Sequence, residues 1–277
     1  MWVSRLMTKV LATCVLAILW VSISLLAQPM PTRAPATYSP EGLDRIIGRI
    51  ALYTDPLLAQ TLAASTFPEQ IPDAAHWADE HHNVSGDKLV SAIEGAHLSW
   101  DPSVQALLPI PYVLDMMTSD MKWTEDLGTA VLTQRPELLD AVQRMRRKAK
   151  DYGYLRPNAQ IVVSDGQYIE IKSTTPSLAV PAYDPLTVFA ARRPGAAASV
   201  DPISFQSGVA IGSSLAPWGW GTSWIAWDKH AVIINRTPWN RTLANHTTYV
   251  HPYPGLNRQK SKDQAQPQEF HTDPLDE

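Results

Sequence analysis

Apolar side chains recur every three to four residues from Leu43 to Ala149, and then at alternate positions from Ile161 to Ile171. The first spacing lines one face of a helix and the second one face of a strand. The switch predicts an α+β chain. A mainly helical domain over 41–153 precedes a small antiparallel β-element over 154–193. A Gly/Trp-rich region and a disordered polar tail follow over 194–277.

Within the helical part, Leu43, Ile46, Ile47 and Ile50 mark a first helix, and Asp55-Pro56 opens a second that runs to Ser65. Further helices fit Pro72 to His82, Asp87 to Leu98 and Tyr112 to Thr118. Another follows a cap at Ser119 or Asp120, with Trp123, Leu127, Ala130 and Val131 inward. The last starts at Pro136, presents Leu138, Val142, Met145 and Ala149, and stops at Gly153. Asp165-Gly166 between two β-prone runs signals a hairpin. Leu178 to Ala182 fits an edge strand, because Pro176 and Pro181 withhold ladder donors. Ala231 to Ile234 fits one more.

Ahead of all this, Arg5 and Lys9 precede the uncharged run Val10 to Ala27. A basic start followed by such a run predicts a signal peptide or an N-terminal membrane anchor over 1–27, with the bulk exported. Its eighteen residues lie between a usual signal core of about 7–15 and a full transmembrane helix of about 20. Residues 28–40 form a Pro-rich linker. The only cysteine, Cys14, lies in the export segment, so the exported part has no disulfide and no thiolate chemistry. Losing residues 1–27 removes Arg5 and Lys9 and takes the net charge from −4 to −6. That balance argues against nucleic acid as a partner.

Four stretches occur in order: IALYTDPLLAQTLAASTFPEQIPDAAHWAD at 50–79, WDPSVQALLPIPYVLDMMTSDMKWTEDLG at 100–128, LLDAVQRMRRKA at 138–149 and VPAYDPLTVF at 180–189. Together they resemble a bacterial envelope family catalogued as domain of unknown function 3300. The resemblance covers about residues 44–190. It implies this architecture and export to the cell envelope or periplasm. It brings no activity and no catalytic residues. Family tails carry Gly/Trp-rich and then Asn/Arg-rich tracts, as residues 205–258 do, but PWGWGTSW is shorter and less repetitive.

Several residue groups bear chemistry. Asp55, Asp101 and Asp184 each precede a proline and follow an aromatic within two residues (Tyr53, Trp100, Tyr183). They read as helix caps, since a carboxylate accepts free first-turn N–H groups and proline at the first helical position has none to waste. The other reading is a ligand site. Asp73, His76 and Glu80, beside Asp79, His81 and His82, have helical spacing. No HExxH order accompanies them, so solvated charge is expected rather than a metal site. The basic run Arg144, Arg146, Arg147, Lys148 and Lys150 complements the negative end of its helix, with anionic lipid or wall polymer as the other reading. Trp218, Trp220, Trp224 and Trp227 form either a packed strand pair or a sugar-stacking or membrane-interface surface. No Ser/His/Asp order or phosphate-cradling loop is visible, and no catalytic residue, metal ligand or cofactor is named.

The expectation is an exported envelope protein acting as an interaction or scaffolding module rather than an enzyme. It would be tethered to the membrane through its N-terminal segment and would meet an envelope protein or cell-wall polymer. The alternative is a cell-wall-directed hydrolase or carbohydrate-binding enzyme using the acids of Asp73 to Glu80. Acids converging in a concave site would favour the second.

Overall fold

The computed structural model describes residues 37–191, 202–210, 213–246, 248–253 and 256. The expected signal or anchor at 1–27 lies outside them. Among the described residues no helix is long and apolar enough to cross a membrane.

The helices are α1 (Pro40–Ile47), α2 (Asp55–Ala64), α3 (Ile71–Glu80), α4 (Gly86–Gly95), α5 (Pro102–Gln105), α6 (Pro111–Ser119), α7 (Met121–Thr133) and α8 (Arg135–Asp151). Helix α2 is buried along almost its whole length, Pro56 excepted. A helix apolar on all sides belongs at the centre. Helices α5 and α7 and parts of the later sheets surround it. Burying Leu57, Leu58 and Leu62, all fully enclosed, contributes about 1.5–3 kcal/mol each. Gly153 ends α8 with φ +74°, the left-handed turn a helix stop requires. The helix expected over Asp87 to Leu98 ends at Gly95, and Ala96 beyond it is exposed.

The Asp-Pro units divide. Asp101 Oδ1 accepts from Ser103 N at 2.9 Å and from Ser103 Oγ at 2.6 Å. Asp184 accepts from Leu186 N at 3.0 Å and from Thr187 Oγ1 at 2.7 Å, opening α9 (Pro185–Val188). Asp120 caps α7 through Trp123 N at 3.0 Å. Asp55 is not a cap. Helix α2 begins one residue earlier than a cap at Asp55 would allow, Thr54 occupies the cap position without a side-chain bond, and the Asp55 carboxylate turns inward. As a true cap, Asp101→Ala is expected to lower stability by about 0.5–2 kcal/mol, with Asp101→Asn retaining most of it because an acceptor remains. Thermal melts of both variants check this, and two unchanged midpoints would refute the capping role.

Strands β1 (Ile161–Asp165) and β2 (Ile169–Ser173) pair antiparallel with Asp165 opposite Ile169. The expected Asp165-Gly166 turn is thus a loop of residues 166–168. Strand β3 (Ser177–Tyr183) pairs with β4 (Ile203–Ala210) in a separate two-stranded sheet, where Pro181 sits opposite Phe205. A third sheet has the order β5 (Trp224–Ala226), β6 (Ala231–Ile234), β7 (Thr237–Pro238).

The disordered polar tail expected at the end of 194–277 needs correction among the described residues between Asn235 and Tyr253. Trp239 and Tyr253 are fully enclosed, and Tyr253 Oη donates to the buried Gln60 of α2 at 3.0 Å. The polar composition hid a few large aromatics that join the core. Residues 257–277 lie outside the described ones.

Candidate functional site

The site begins with a buried arginine. Arg146 is completely buried in α8. Its Nε donates to Ala51 O at 2.8 Å and its Nη2 to Tyr53 O at 2.8 Å. Its Nη1 donates to Asp55 Oδ1 at 2.7 Å and Ile169 O at 2.8 Å. The second Asp55 oxygen accepts from Trp227 Nε1 at 2.9 Å. The Trp227 ring covers the guanidinium 4.9 Å from its centroid. A planar fork of five donors suits several fixed carbonyls as a lysine cannot. The cluster therefore ties the loop before α2, helix α8, strand β2 and the segment after β5 to one another. Gln143 adds a second tie: its side-chain amide accepts from Ile169 N at 2.9 Å and donates to Ile169 O at 3.2 Å.

Other tryptophans also serve as fasteners. Trp218 Nε1 donates to Gln105 Oε1 at 3.1 Å and Trp220 Nε1 to Ala106 O at 3.0 Å. Gln60 Nε2 holds Trp218 O at 2.8 Å. In the Trp-rich segment, Trp218, Trp220 and Trp227 are packed inside, but in helical turns and a loop rather than a strand pair. Trp224 differs: it is 41% exposed, on an edge strand.

Trp224 borders a groove of about 450 Å³ between β2 and the β5–β6–β7 sheet. Half-buried Tyr168 stands on the other wall, and Trp227 lies beneath. Glu170, Asp228 and Lys229 supply polar rims. Glu170 pairs with Lys172 at 2.7 Å, and that bond raises the Lys172 pKa. The groove thus combines two aromatic rings with acceptors and a cation on walls fixed by the Arg146 cluster. Such a mixture suits recognition of an amphipathic ligand.

The other candidate residues are placed elsewhere. Asp73, His76, Asp79 and Glu80 are exposed on α3, where His76 and Glu80 meet at 3.4 Å. His81 stacks on Trp77 and bonds Trp77 O at 2.8 Å through Nδ1. Among the described residues no group of three His, Cys, Asp or Glu side chains could hold a metal ion. The basic run splits: Arg144 pairs with Asp44 at 2.7 Å and Lys150 with Asp165. Arg146 leaves the surface altogether. Lys148 and Lys150 remain in the last turn of α8, as the helix dipole favours.

The family described as "Protein of unknown function (DUF3300)" matches residues 39–266. The chain belongs to this family. It is also similar to the uncharacterized protein YacH of Escherichia coli (strain K12), at 29% identity over 159 residues, which are 57% of this chain and 25% of YacH. The matched region thus spans about a quarter of that relative's length. No solved structure matches.

Proposed function

We propose that the chain is an exported, non-catalytic recognition module of the cell envelope, and that the groove between β2 and β5 is its contact surface. The observation that carries this reading is Trp224. A large apolar ring is held half out of the protein on a strand whose neighbouring tryptophans are all withdrawn. Exposed aromatics on rigid elements are the usual anchors of binding surfaces. Export rests on Arg5, Lys9 and the uncharged run after them. A non-catalytic role is favoured because the acids once considered for hydrolysis lie on an exposed helix face, while Asp55 is consumed by Arg146 and Trp227. The class of partner is an envelope protein or wall polymer.

Binding of the purified chain to isolated envelope material tests the reading. Trp224→Ala is expected to weaken co-sedimentation by about tenfold or more, with the melting temperature nearly unchanged because the ring is exposed. Equal binding by the variant would remove the groove from the proposal. A reporter active only outside the cytoplasm, fused after residue 40, tests export separately, and an inactive but expressed fusion would refute it.

A further inference from the structure

A second polar site forms where Trp239, Arg241 and Tyr249 meet Arg135 at the start of α8. Two buried arginine donors there, Arg135 Nε and Arg241 Nε, have no acceptor among the described residues, while the Trp239 indole reaches no oxygen but that of Tyr249. Buried donors are normally paired, and each unpaired one costs free energy, so two guanidinium donors in one patch require an explanation. The atoms belong to one cluster. The Arg135 guanidinium lies 4.7 Å from the Trp239 ring centroid, and Trp239 meets Tyr249 edge-on at 6.0 Å. Arg135 donates to Trp239 O at 3.1 Å and to Arg241 O at 2.6 Å. Arg241 lies over the Phe67 ring at 3.9 Å and donates to Thr66 O through Nη1.

We propose that Arg135, Arg241, Trp239 and Tyr249 form a site for an oxyanion, a phosphate or carboxylate group. The orientation of Arg241 supports this. Its Nη1 is held by a backbone carbonyl, which leaves the side-on edge carrying Nε without a protein acceptor. That edge takes carboxylates and phosphates through two parallel bonds. Neither arginine has a carboxylate in salt-bridge contact among the described residues. Burial lowers the Arg241 pKa, offset in part by the charges of Asp101 and Glu69, and Asp101 spends Oδ1 on Ser103. Burial lowers the Arg135 pKa and raises that of Tyr249, the latter helped by the Asp101 charge and opposed by the two arginines and the Trp239 hydrogen bond. Trp239 is only 2% exposed, whereas the Arg241 and Tyr249 side chains are partly exposed around donor atoms that are themselves buried. The site supplies donors and positive charge, so it favours anions over neutral ligands.

Thermal melts of the full chain in phosphate, acetate and chloride at equal ionic strength test this. Inorganic phosphate or acetate should raise the midpoint in a saturable way, and chloride should not, since a ligand bound only by the folded state stabilises it. A larger response to phosphate identifies a phosphate-bearing ligand, and a larger response to acetate a carboxylate. Arg241→Gln should weaken the apparent affinity about tenfold or more. Tyr249→Phe provides the control on folding. It removes a buried hydroxyl that meets only Trp239, so its midpoint without anion should stay close to the parent's, while its response to the anion should shrink. Midpoints that rise equally in all three salts, or an anion response unchanged in Arg241→Gln, would overturn the site.

Discussion

Replacing Arg146 with Ala is expected to destabilise the fold by about 3–5 kcal/mol, the usual cost of breaking a buried ion pair by removing one partner. The loss has several parts. Asp55, at 3% exposure, would be left with only Trp227 Nε1 and a long contact from Ile171 N. The carbonyls of Ala51, Tyr53 and Ile169 would each lose a donor from Arg146. The Trp227 ring would lose the cation it covers. A domain is stable by only about 5–15 kcal/mol, so the variant should be marginal at physiological temperature. Urea denaturation with the midpoint and slope both recorded is the check. A loss of under about 1 kcal/mol would show the pair to be worth no more than an exposed one.

The arrangement makes a sharper demand. Asp55→Leu combined with Arg146→Met should be more stable than Arg146→Ala alone, because no charge is then left buried without its partner. Arg146→Lys should rescue poorly. One ammonium has three donors and no planar fork, and here it would face carbonyls of the loop before α2 and of strand β2. If lysine restores the parent midpoint, the geometry of the guanidinium is not what ties α2, α8 and β2 together.

Much of this was legible in the sequence, and the failures are instructive. The period change separated helices from strands because it reflects which face is buried, and that rule is local. Asp101 and Asp184 cap as expected, since a cap is satisfied by N–H groups two or three residues away. Asp55 has the same dipeptide but a partner 91 residues distant, which no local pattern reports. One signal did exist. Arg146 follows Val142 by four residues and precedes Ala149 by three, so it lies on the apolar face of α8. A cation on that face is a sign of a buried acceptor, but the surrounding run of basic residues disguised it as surface charge. The Gly/Trp-rich segment was obscured differently. Its order comes from indole N–H groups bonded to Gln105, the Ala106 carbonyl and Asp55. All of these acceptors lie far away in sequence. The groove inherits that distance, for its walls come from residues 168–170 and 224–238.

Gly128→Ala should also be strongly destabilising, although helix propensity alone predicts the opposite sign. In an unobstructed helix interior the exchange gains about 0.8–1.0 kcal/mol. Gly128 is buried in α7, where it crosses the end of α2. A Cβ built there would stand 2.1 Å from Ser65 O and 2.9 Å from Ser65 C. These are backbone atoms, so no side-chain rotation relieves the overlap. The Ser65 peptide is itself fixed, because Ser65 N bonds Thr61 O at 3.0 Å and Ser65 Oγ bonds Leu62 O at 2.8 Å. The two helices must therefore move apart, opening gaps beside fully buried Leu127, Val131 and Leu62. Overpacking of this kind costs about 1–3 kcal/mol, and occasionally more. The upper end is expected here because the obstruction is main chain. Gly128→Ser should be no better, since its Cβ meets the same carbonyl. Equilibrium unfolding of Gly128→Ala is decisive by sign: a variant as stable as the parent or more so would mean that α2 and α7 do not approach through this glycine.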